Sequence, residues 1–464
     1  MIQMTREEFY SYSDKNFDEL ITLMQPILDH RKDLYQRYSR KNDPTEIMGS
    51  IDGNKTIVPF EFYITKMVKG YLSGKSPKYD ITSDDPDYND NYYDVVKQIQ
   101  RYNDDGATFT ELTHNYITTA AAYLYTYENE ENEIIYTLFD PLQTASVWDY
   151  STPRQLIGIL RTWTVITKDD EIHNLEVITE FNRRQYVQGA GLTLDELLSW
   201  GDVPCVAMEE PDGIAVYEPA IASINAYEQM INNTLSMTQY NDQAKLLLVG
   251  YAMPEQYIPD DKGNMISNPQ YEVTKSALLN NPVLSINSQE GDIRWLTKDV
   301  NYSGMLEIVT RLHEQITMLT GVPNMTDEAF ANADNASALG YKLYSLDQYS
   351  AECDRVFKKG YLRLWEIITN RLNLKGGKYD FRDIDIIMQR NIPTDKNLAL
   401  QRANTMWGSG LFSQVTSINE SQVEVDAEEE MARRIAEESS QYESEYEKTL
   451  SRNAGHEHDD EVDE

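Results

Sequence analysis

The sequence predicts an α+β chain, mainly helical, and three observations predict it. Apolar residues recur with a helical period over several long stretches. Between about residues 134 and 182 the pattern changes to short β-branched and aromatic runs broken by turn residues. A long striped segment then runs from Ala336 to about Leu372. With 464 residues, the length suits about three structural units at roughly 150 residues each.

Taken in order, residues 5–42 read as helical, with Phe9, Phe17, Leu20, Ile21, Met24, Ile27, Leu28 and Leu34 near a 3.6-residue period and Pro26 placed to break or kink the stretch. Its end, Arg31 to Lys41, is basic and tyrosine-rich. After a polar break at 42–55, Phe60 to Leu72 predicts a second helix, stopped by Gly74 and Pro77. An acidic loop at 80–92 and a short helix from Tyr93 to Tyr102 come next. Residues 107–125 read as a helix running into apolar strand, and strand signals continue from Ile134 to Ile166. Two more β segments follow, with His173 to Asn182 the clearer.

Residues 218–243 carry Ile221, Ile224, Tyr227, Ile231 and Leu235 on one helical stripe. Leu246 to Tyr251 predicts a short strand, and 252–281 is irregular and rich in Pro and Asn. Val283–Asn287 and Asp292–Leu296 suggest a hairpin around Ser-Gln-Glu-Gly. A further amphipathic helix spans 303–320, with Met305, Ile308, Leu312, Ile316 and Leu319 on one face, and ends at Gly321 to Pro323. The long helix follows, with Leu339, Leu343, Leu346, Cys353, Phe357, Leu364 and Ile368 as apolar positions and Gly360 as either the place for a kink or an isolated, tolerated glycine. A strand from Asp383 to Gln389 and helices near 394–407 and 418–450 complete the order. Residues 424–464 hold 16 Asp plus Glu against 4 Lys plus Arg, so 451–464 is expected to be a disordered acidic tail.

A net charge of −36 argues against simple DNA binding, which needs clustered Lys and Arg to neutralise phosphates. Tyr outnumbers Phe, 32 to 11; this suits surfaces that become interfaces, or it is a bias of composition. The two cysteines, Cys205 and Cys353, form neither a disulfide framework nor a metal motif. The beginning of the chain has no signal-peptide pattern, and no apolar run reaches the length of a membrane span.

Gly70-Tyr-Leu-Ser-Gly-Lys-Ser76 approaches a phosphate-binding loop but is one residue short and follows a helix. It reads instead as a helix C-terminus with Gly in a left-handed turn. His456 and His458 are the only neighbouring histidines. No nucleophile, hydrolase or dinucleotide motif is present, so no catalytic residue, metal site or cofactor is expected.

Three segments, in order, resemble the portal (head-tail connector) family of tailed bacteriophages, the family typical of siphophages of Gram-positive hosts. The first is NKTIVPFEFYITKMVKGYLSGKSPKYDI from Asn54 to Ile81. The second, Glu111 to Asp149, ends in a Phe139-Asp140-Pro141 turn. The third and most specific is Gly321-Val-Pro-Asn-Met-Thr-Asp-Glu-Ala-Phe, then Ala336-Ser-Ala-Leu-Gly-Tyr-Lys-Leu. Asn324 stands where the family pattern has Asp, and Ala333-Asp-Asn stands where Gly and Ser are common, so that loop is expected to be stiffer than usual.

The resemblance implies a phage portal fold with wing, stem, clip and crown. It assigns 1–217 to an α+β wing, 218–245 and 299–321 to stem helices, and 246–298 to a β-containing clip. It assigns 322–336 to a tunnel loop, 337–393 to the long wing helix and strand, and 394–450 to a helical crown. It implies a dodecameric homo-oligomer at the unique capsid vertex, passing double-stranded DNA during packaging and ejection and assembled in the host cytoplasm. The implied partners are terminase, major capsid and scaffolding proteins, and a head-completion or adaptor protein, with no membrane. The channel residues it implies are Asn324, Thr326, Asp327, Glu328, Asn332, Asp334 and Asn335. The stem contacts are Ile221, Ile224, Ile231, Leu235, Ile308, Leu312 and Ile316; the clip surface for partners is Tyr257, Ile258 and Trp295. The stem stripes fit an ordinary core helix pair as well, Trp295 fits the interior of the clip, and Arg294, Lys298 and Arg311 fit either weak phosphate contact or solvated positions. A minor capsid or other head-assembly protein is the alternative class.

Overall fold

Residues 1–12, 17–39, 56–166, 171–242, 245–249, 254–259, 264–280, 292–296, 302–324, 336–391, 396–421 and 430–437 are described by a computed structural model. The chain opens with β1 (Ile2–Gln3), α1 (Arg6–Ser11) and α2 (Phe17–Ser39). Thr5 caps α1 by accepting from the Glu8 amide, and Pro26 lies inside α2, which continues through it. Then come α3 (Phe60–Ser73), β2 (Lys78–Ile81), α4 (Pro86–Asn103) and α5 (Asp105–Thr119). The expected acidic loop at 80–92 is therefore a strand end and the first turns of a helix. Asp85 accepts from the Asp87 and Tyr88 amides, and Pro86 takes the first helical position, where its missing N–H costs nothing.

Eight strands follow: β3 (Ala121–Glu128), β4 (Ile134–Phe139), β5 (Thr144–Trp148), β6 (Leu156–Ile166), β7 (Glu171–Ile178), β8 (Asn182–Val187), β9 (Gly191–Leu197) and β10 (Cys205–Glu209). The two β segments expected after Ile166 are thus four strands. β9 escaped notice because it is exposed along most of its length and carries Asp195 and Glu196. After a 3₁₀ turn at Glu218–Ala220 come α6 (Ile221–Asp242), β11 (Lys245–Val249), β12 (Tyr257–Pro259), β13 (Met265–Ser267), α7 (Pro269–Asn280), β14 (Asp292–Leu296) and α8 (Tyr302–Thr320). The chain ends with α9 (Ala336–Leu374), β15 (Ile384–Ile387), α10 (Lys396–Gly408) and α11 (Gln414–Glu420), and 430–437 is helical.

One further expectation is corrected in the 252–296 region. Its supposedly irregular part holds a hairpin, β12–β13, and a helix whose first residue is Pro269; Asn268 accepts from the Gln270 amide. β14 pairs antiparallel with β11, Lys245 opposite Leu296; its expected hairpin partner, Val283–Asn287, lies outside the described residues.

The described chain divides into two units, residues 1–332 with 339–390, and residues 333–338 with 391–464. In the first, a six-stranded sheet has the order β1-β5-β6-β7-β8-β9, antiparallel except for β1 against β5. Phe9, Leu20, Met24 and Leu28 of α1 and α2 pack with Leu160 and Leu175 of this sheet. Ile159 and Ile178 pack with Tyr123, Tyr125 and Phe139 of a three-stranded sheet, β10-β3-β4. The largest cluster joins α3, α4 and α5 to the buried stripe of α9, where Phe357, Tyr361, Leu364, Trp365 and Ile368 carry the apolar surface.

α9 is continuous through Gly360. That glycine is the point where α9 meets β10: a Cβ there would lie 2.3 Å from Met208 Cε. A side chain here would have to displace that of Met208, so glycine serves close packing. Gly74, expected in a left-handed turn, is right-handed at φ −69°. The chain instead closes α3 and passes directly to β2.

Candidate functional site

The residues singled out for function fall on α6, α8, the β11–β14 region and the segment after α8. α6 leaves the 3₁₀ turn at Glu218–Ala220, and α8 returns to pack on that same turn. Their far ends continue into the antiparallel ladder of β11 and β14. The two helices therefore run antiparallel, and the apolar stripes read from the sequence grade from buried to exposed along them. Near the turn, Ile224 and Ile316 are fully buried. Ile221, Ile231 and Leu312 are partly buried. Towards the ladder, Leu235 and Ile308 are exposed, as are Tyr302 and Leu306. Leu319, on the same stripe as Ile316, and Met318, on a different side of α8, are exposed as well. The pair buries one stripe and leaves apolar area uncovered.

Polar contacts fasten the base of α6, and the sequence reading missed them. The Arg37 guanidinium donates to Glu61 Oε1 at 2.8 Å and to Asn225 Oδ1 at 2.8 Å. Asn232 accepts from the Thr56 amide at 2.7 Å and donates to its carbonyl at 3.0 Å. The Val58 amide donates to Glu228 Oε1 at 3.2 Å. Phe60 meets Tyr227 and His313 edge-on, with centroids 5.1 and 5.6 Å apart, so α3 touches both helices. One signal was available: Glu228 falls on the apolar stripe of α6, seven residues after Ile221, and is buried. A carboxylate at such a position needs a donor.

On the hairpin, Tyr257 is exposed and Ile258, paired with Ile266, is partly covered. Met265, Ile266 and Val273 of the same region are also exposed. Trp295 pairs in register with Leu246 in the β11–β14 ladder. Arg311 is exposed on α8. In the segment after α8, Val322 is buried and Asn324 partly so. Thr326, Asp327, Glu328, Asn332, Asp334 and Asn335 lie outside the described residues, as do the side chain of Arg294, Lys298 and the paired His456 and His458.

α3 continues through Ser73, so the Gly70–Ser76 segment offers a helix end and not a phosphate cradle. Both cysteines are free and buried, and burial pushes the Cys353 thiol up to about 12. Among the described residues no group of three or more His, Cys, Asp or Glu could hold a metal ion. No helix among them is long and apolar enough to cross a membrane.

The α+β body leaves apolar faces of α6 and α8 uncovered in the single chain. Residues 20–445 match the family described as phage portal protein, SPP1 Gp6-like, and the chain belongs to that family. No curated protein matches it. It is similar to a chain in the neck of a native GTA particle computed with C12 symmetry, with a TM-score of 0.43 and 13% identity over 85% of this chain and 93% of that one. A chain in the neck of an empty GTA particle computed with C6 symmetry gives a TM-score of 0.47 and 12% identity over 83% and 91%. A chain in the virion of a native gene transfer agent particle gives 0.42 and 11% over 82% and 89%.

Proposed function

We propose that copies of this chain, twelve in the ring, close around a channel that passes double-stranded DNA into and out of a phage capsid. The observation that carries this reading is the family match over residues 20–445. The uncovered apolar faces of α6 and α8 support it, because each copy then has surface that only a neighbour covers. In this reading α6 and α8 are the stem, and their 22 and 19 residues give walls about 33 and 28 Å long at 1.5 Å per residue. The β11–β14 ladder, the β12–β13 hairpin and α7 form the clip, with Tyr257, Ile258 and Trp295 facing terminase during filling and a head-completion protein afterwards. The unit from 391 is the crown, and capsid and scaffolding proteins surround the wing.

The channel works by not holding its cargo. Base contacts and multiple phosphate contacts would add affinity and therefore friction. A wall of carboxylates repels phosphates over about a Debye length and keeps the duplex centred. Asp327, Glu328 and Asp334, repeated around the ring, supply that wall, and Ala329, Ala331, Ala333, Ala336 and Ala338 let the segment approach the duplex.

Electron microscopy of the purified protein tests the ring: closed rings with a duplex-wide hole are expected, and a monodisperse monomer at micromolar concentration overturns it. Asp327→Lys with Glu328→Lys tests the channel. Rings are expected to persist while DNA packaged per capsid falls; wild-type packaging by this variant removes the lumen assignment.

A further inference from the structure

One guanidinium closes the last stretch of the first unit onto α9. The ladder of β15 with β2 ends at Ile387. Past it, Met388 packs against the largest core cluster, and Arg390 reaches two carboxylates of α9. Its Nη1 donates to Asp354 Oδ1 at 2.7 Å and its Nη2 lies 2.6 Å from Asp354 Oδ2, a two-pronged pair. Its Nε lies 3.5 Å from Asp347 Oδ1. The Tyr71 hydroxyl donates to that same oxygen at 3.2 Å, and the guanidinium carbon stands 5.8 Å from the centroid of the Tyr71 ring. Asp347 and Asp354, seven residues apart, lie on one face of α9. A second, more exposed pair joins Lys358 to Asp385 at 2.9 Å. From Asp385 to Arg390 the contacts therefore move back along α9, from Lys358 to Asp354 and Asp347. Five residues at strand spacing span about 16 Å, and the helix from Lys358 back to Asp347 spans about the same. The chain is laid antiparallel on α9.

The polypeptide passes between the two units beside this cluster. The first unit resumes at Leu339, eight residues before Asp347, and ends at Arg390 itself. We propose that Arg390 is a latch: closed on Asp354 and Asp347, it holds residues 388–390 against α9 and fixes where the chain leaves the first unit, and breaking those ion pairs releases that stretch while β15 stays in its ladder. The physical basis is unequal attachment. β15 is held by its backbone ladder and by Ile384 and Ile386, both buried. The stretch after it rests on side chains, and its strongest contacts are charge-assisted. Such a stretch can open locally while the core stays closed. The Arg390 side chain is 16% exposed and that of Asp347 51%, so solvent reaches the latch directly. Arginine suits the position because its planar fork grips one carboxylate with two nitrogens and turns a third towards another. The latch belongs to the single subunit and stands whether or not copies form a ring.

Limited trypsin digestion of the full-length protein tests it, because trypsin cuts the 390–391 bond only after taking the Arg390 side chain into its specificity pocket. Mass spectrometry reads that cleavage as a ratio to cleavage after Arg382, an exposed arginine just before β15. Asp347→Asn with Asp354→Asn keeps the arginine and the side-chain shapes but removes both charges. It is expected to raise the ratio about tenfold, since cleavage follows the population of the open form, with circular dichroism unchanged. Arg390→Lys keeps a cleavable cation and loses the two-pronged grip, and should raise the ratio about threefold or more. Lys358→Met, which removes the neighbouring surface pair, should change it by less than about twofold. A ratio no higher than wild type in the folded double variant overturns the latch. So does a Lys358→Met effect as large as that of the double variant, because any lost contact would then loosen the stretch. If the double variant loses its circular dichroism, Arg390→Lys decides: a ratio no higher than wild type overturns the latch.

Discussion

Tyrosine is the residue through which this fold solves its polar accounting. The surplus over phenylalanine leaves two readings open in the sequence, interface surface or composition bias, and the structure gives it a third role. Tyr217, fully buried, donates to the carbonyl of Leu34 and lies 2.9 Å from that of Thr118. Tyr79 and Tyr136 donate to Asp105, at 3.2 and 2.7 Å. Burial raises the pKa of that carboxyl, and the two phenols oppose the rise. A ring that fills core volume and carries a hydrogen-bonding tip can reach buried polar atoms that Phe would strand. Glu128 shows the reverse situation. Hydrogen bonding from Arg371, and then from Lys375, holds its carboxyl at about 2, below its ordinary 4.5. Such a group stabilises the fold above its unfolded pKa and loses that contribution as pH falls through the folded one. Glu128→Gln is therefore expected to lower Tm at neutral pH, by a stability of at most about 1 kcal/mol given its solvent contact. Thermal melts of the two proteins should converge as pH falls from about 4.5 towards 2; an equal gap at both ends refutes the pairing.

At the scale of elements, α2 is held to the sheets by one buried ion pair. The Arg31 guanidinium donates to the carbonyls of Pro141 and Thr144 at 3.2 and 2.7 Å and to Glu209 Oε1 at 3.0 Å. Glu209 also accepts from Tyr123 and Ser146. Arg31→Leu leaves that carboxylate buried without its cation, at a cost of about 3–5 kcal/mol. Arg31→Met with Glu209→Gln removes both charges and should recover most of the loss, as chemical-denaturation midpoints would show; a double variant no better than the single one rejects the ion pair as the cause. The same scale explains which elements were readable. α2, α3, α6, α8 and α9 each carry a long stripe, and periodicity found them. The start of α4 and the whole of α7 were missed because their opening turns are polar, although Asp85-Pro86 and Asn268-Pro269 are both helix-start signals. The pairing of β14 with β11 joins residues about fifty apart, where a local turn suggested a hairpin.

For the whole molecule, charge and apolar surface pull in opposite directions. Copies with a net charge of −36 repel one another, while the open faces of α6 and α8 are proposed to draw them together. Salt screens the first term and leaves the second nearly intact, because the Debye length falls below about 10 Å above 0.1 M. Raising sodium chloride from about 0.05 to about 0.5 M is expected to increase the ring fraction in sedimentation velocity. A decrease would mean that ion pairs, not apolar contacts, hold the copies together.

The sequence alone determined the α+β class, the stripes of the principal helices and, through three ordered segments, the family. These are properties of local period and local spacing, which survive without knowledge of neighbours. Only the tertiary structure decided how deeply each stripe is buried. Ile316 and Ile308 lie on one predicted face, yet one is enclosed at the base of α8 and the other open towards its far end. It also decided that Asn225, Glu228 and Asn232 anchor α6 through Arg37, Val58 and Thr56, respectively. Burial and long-range hydrogen bonding depend on which distant segments meet, and no local pattern carries that information.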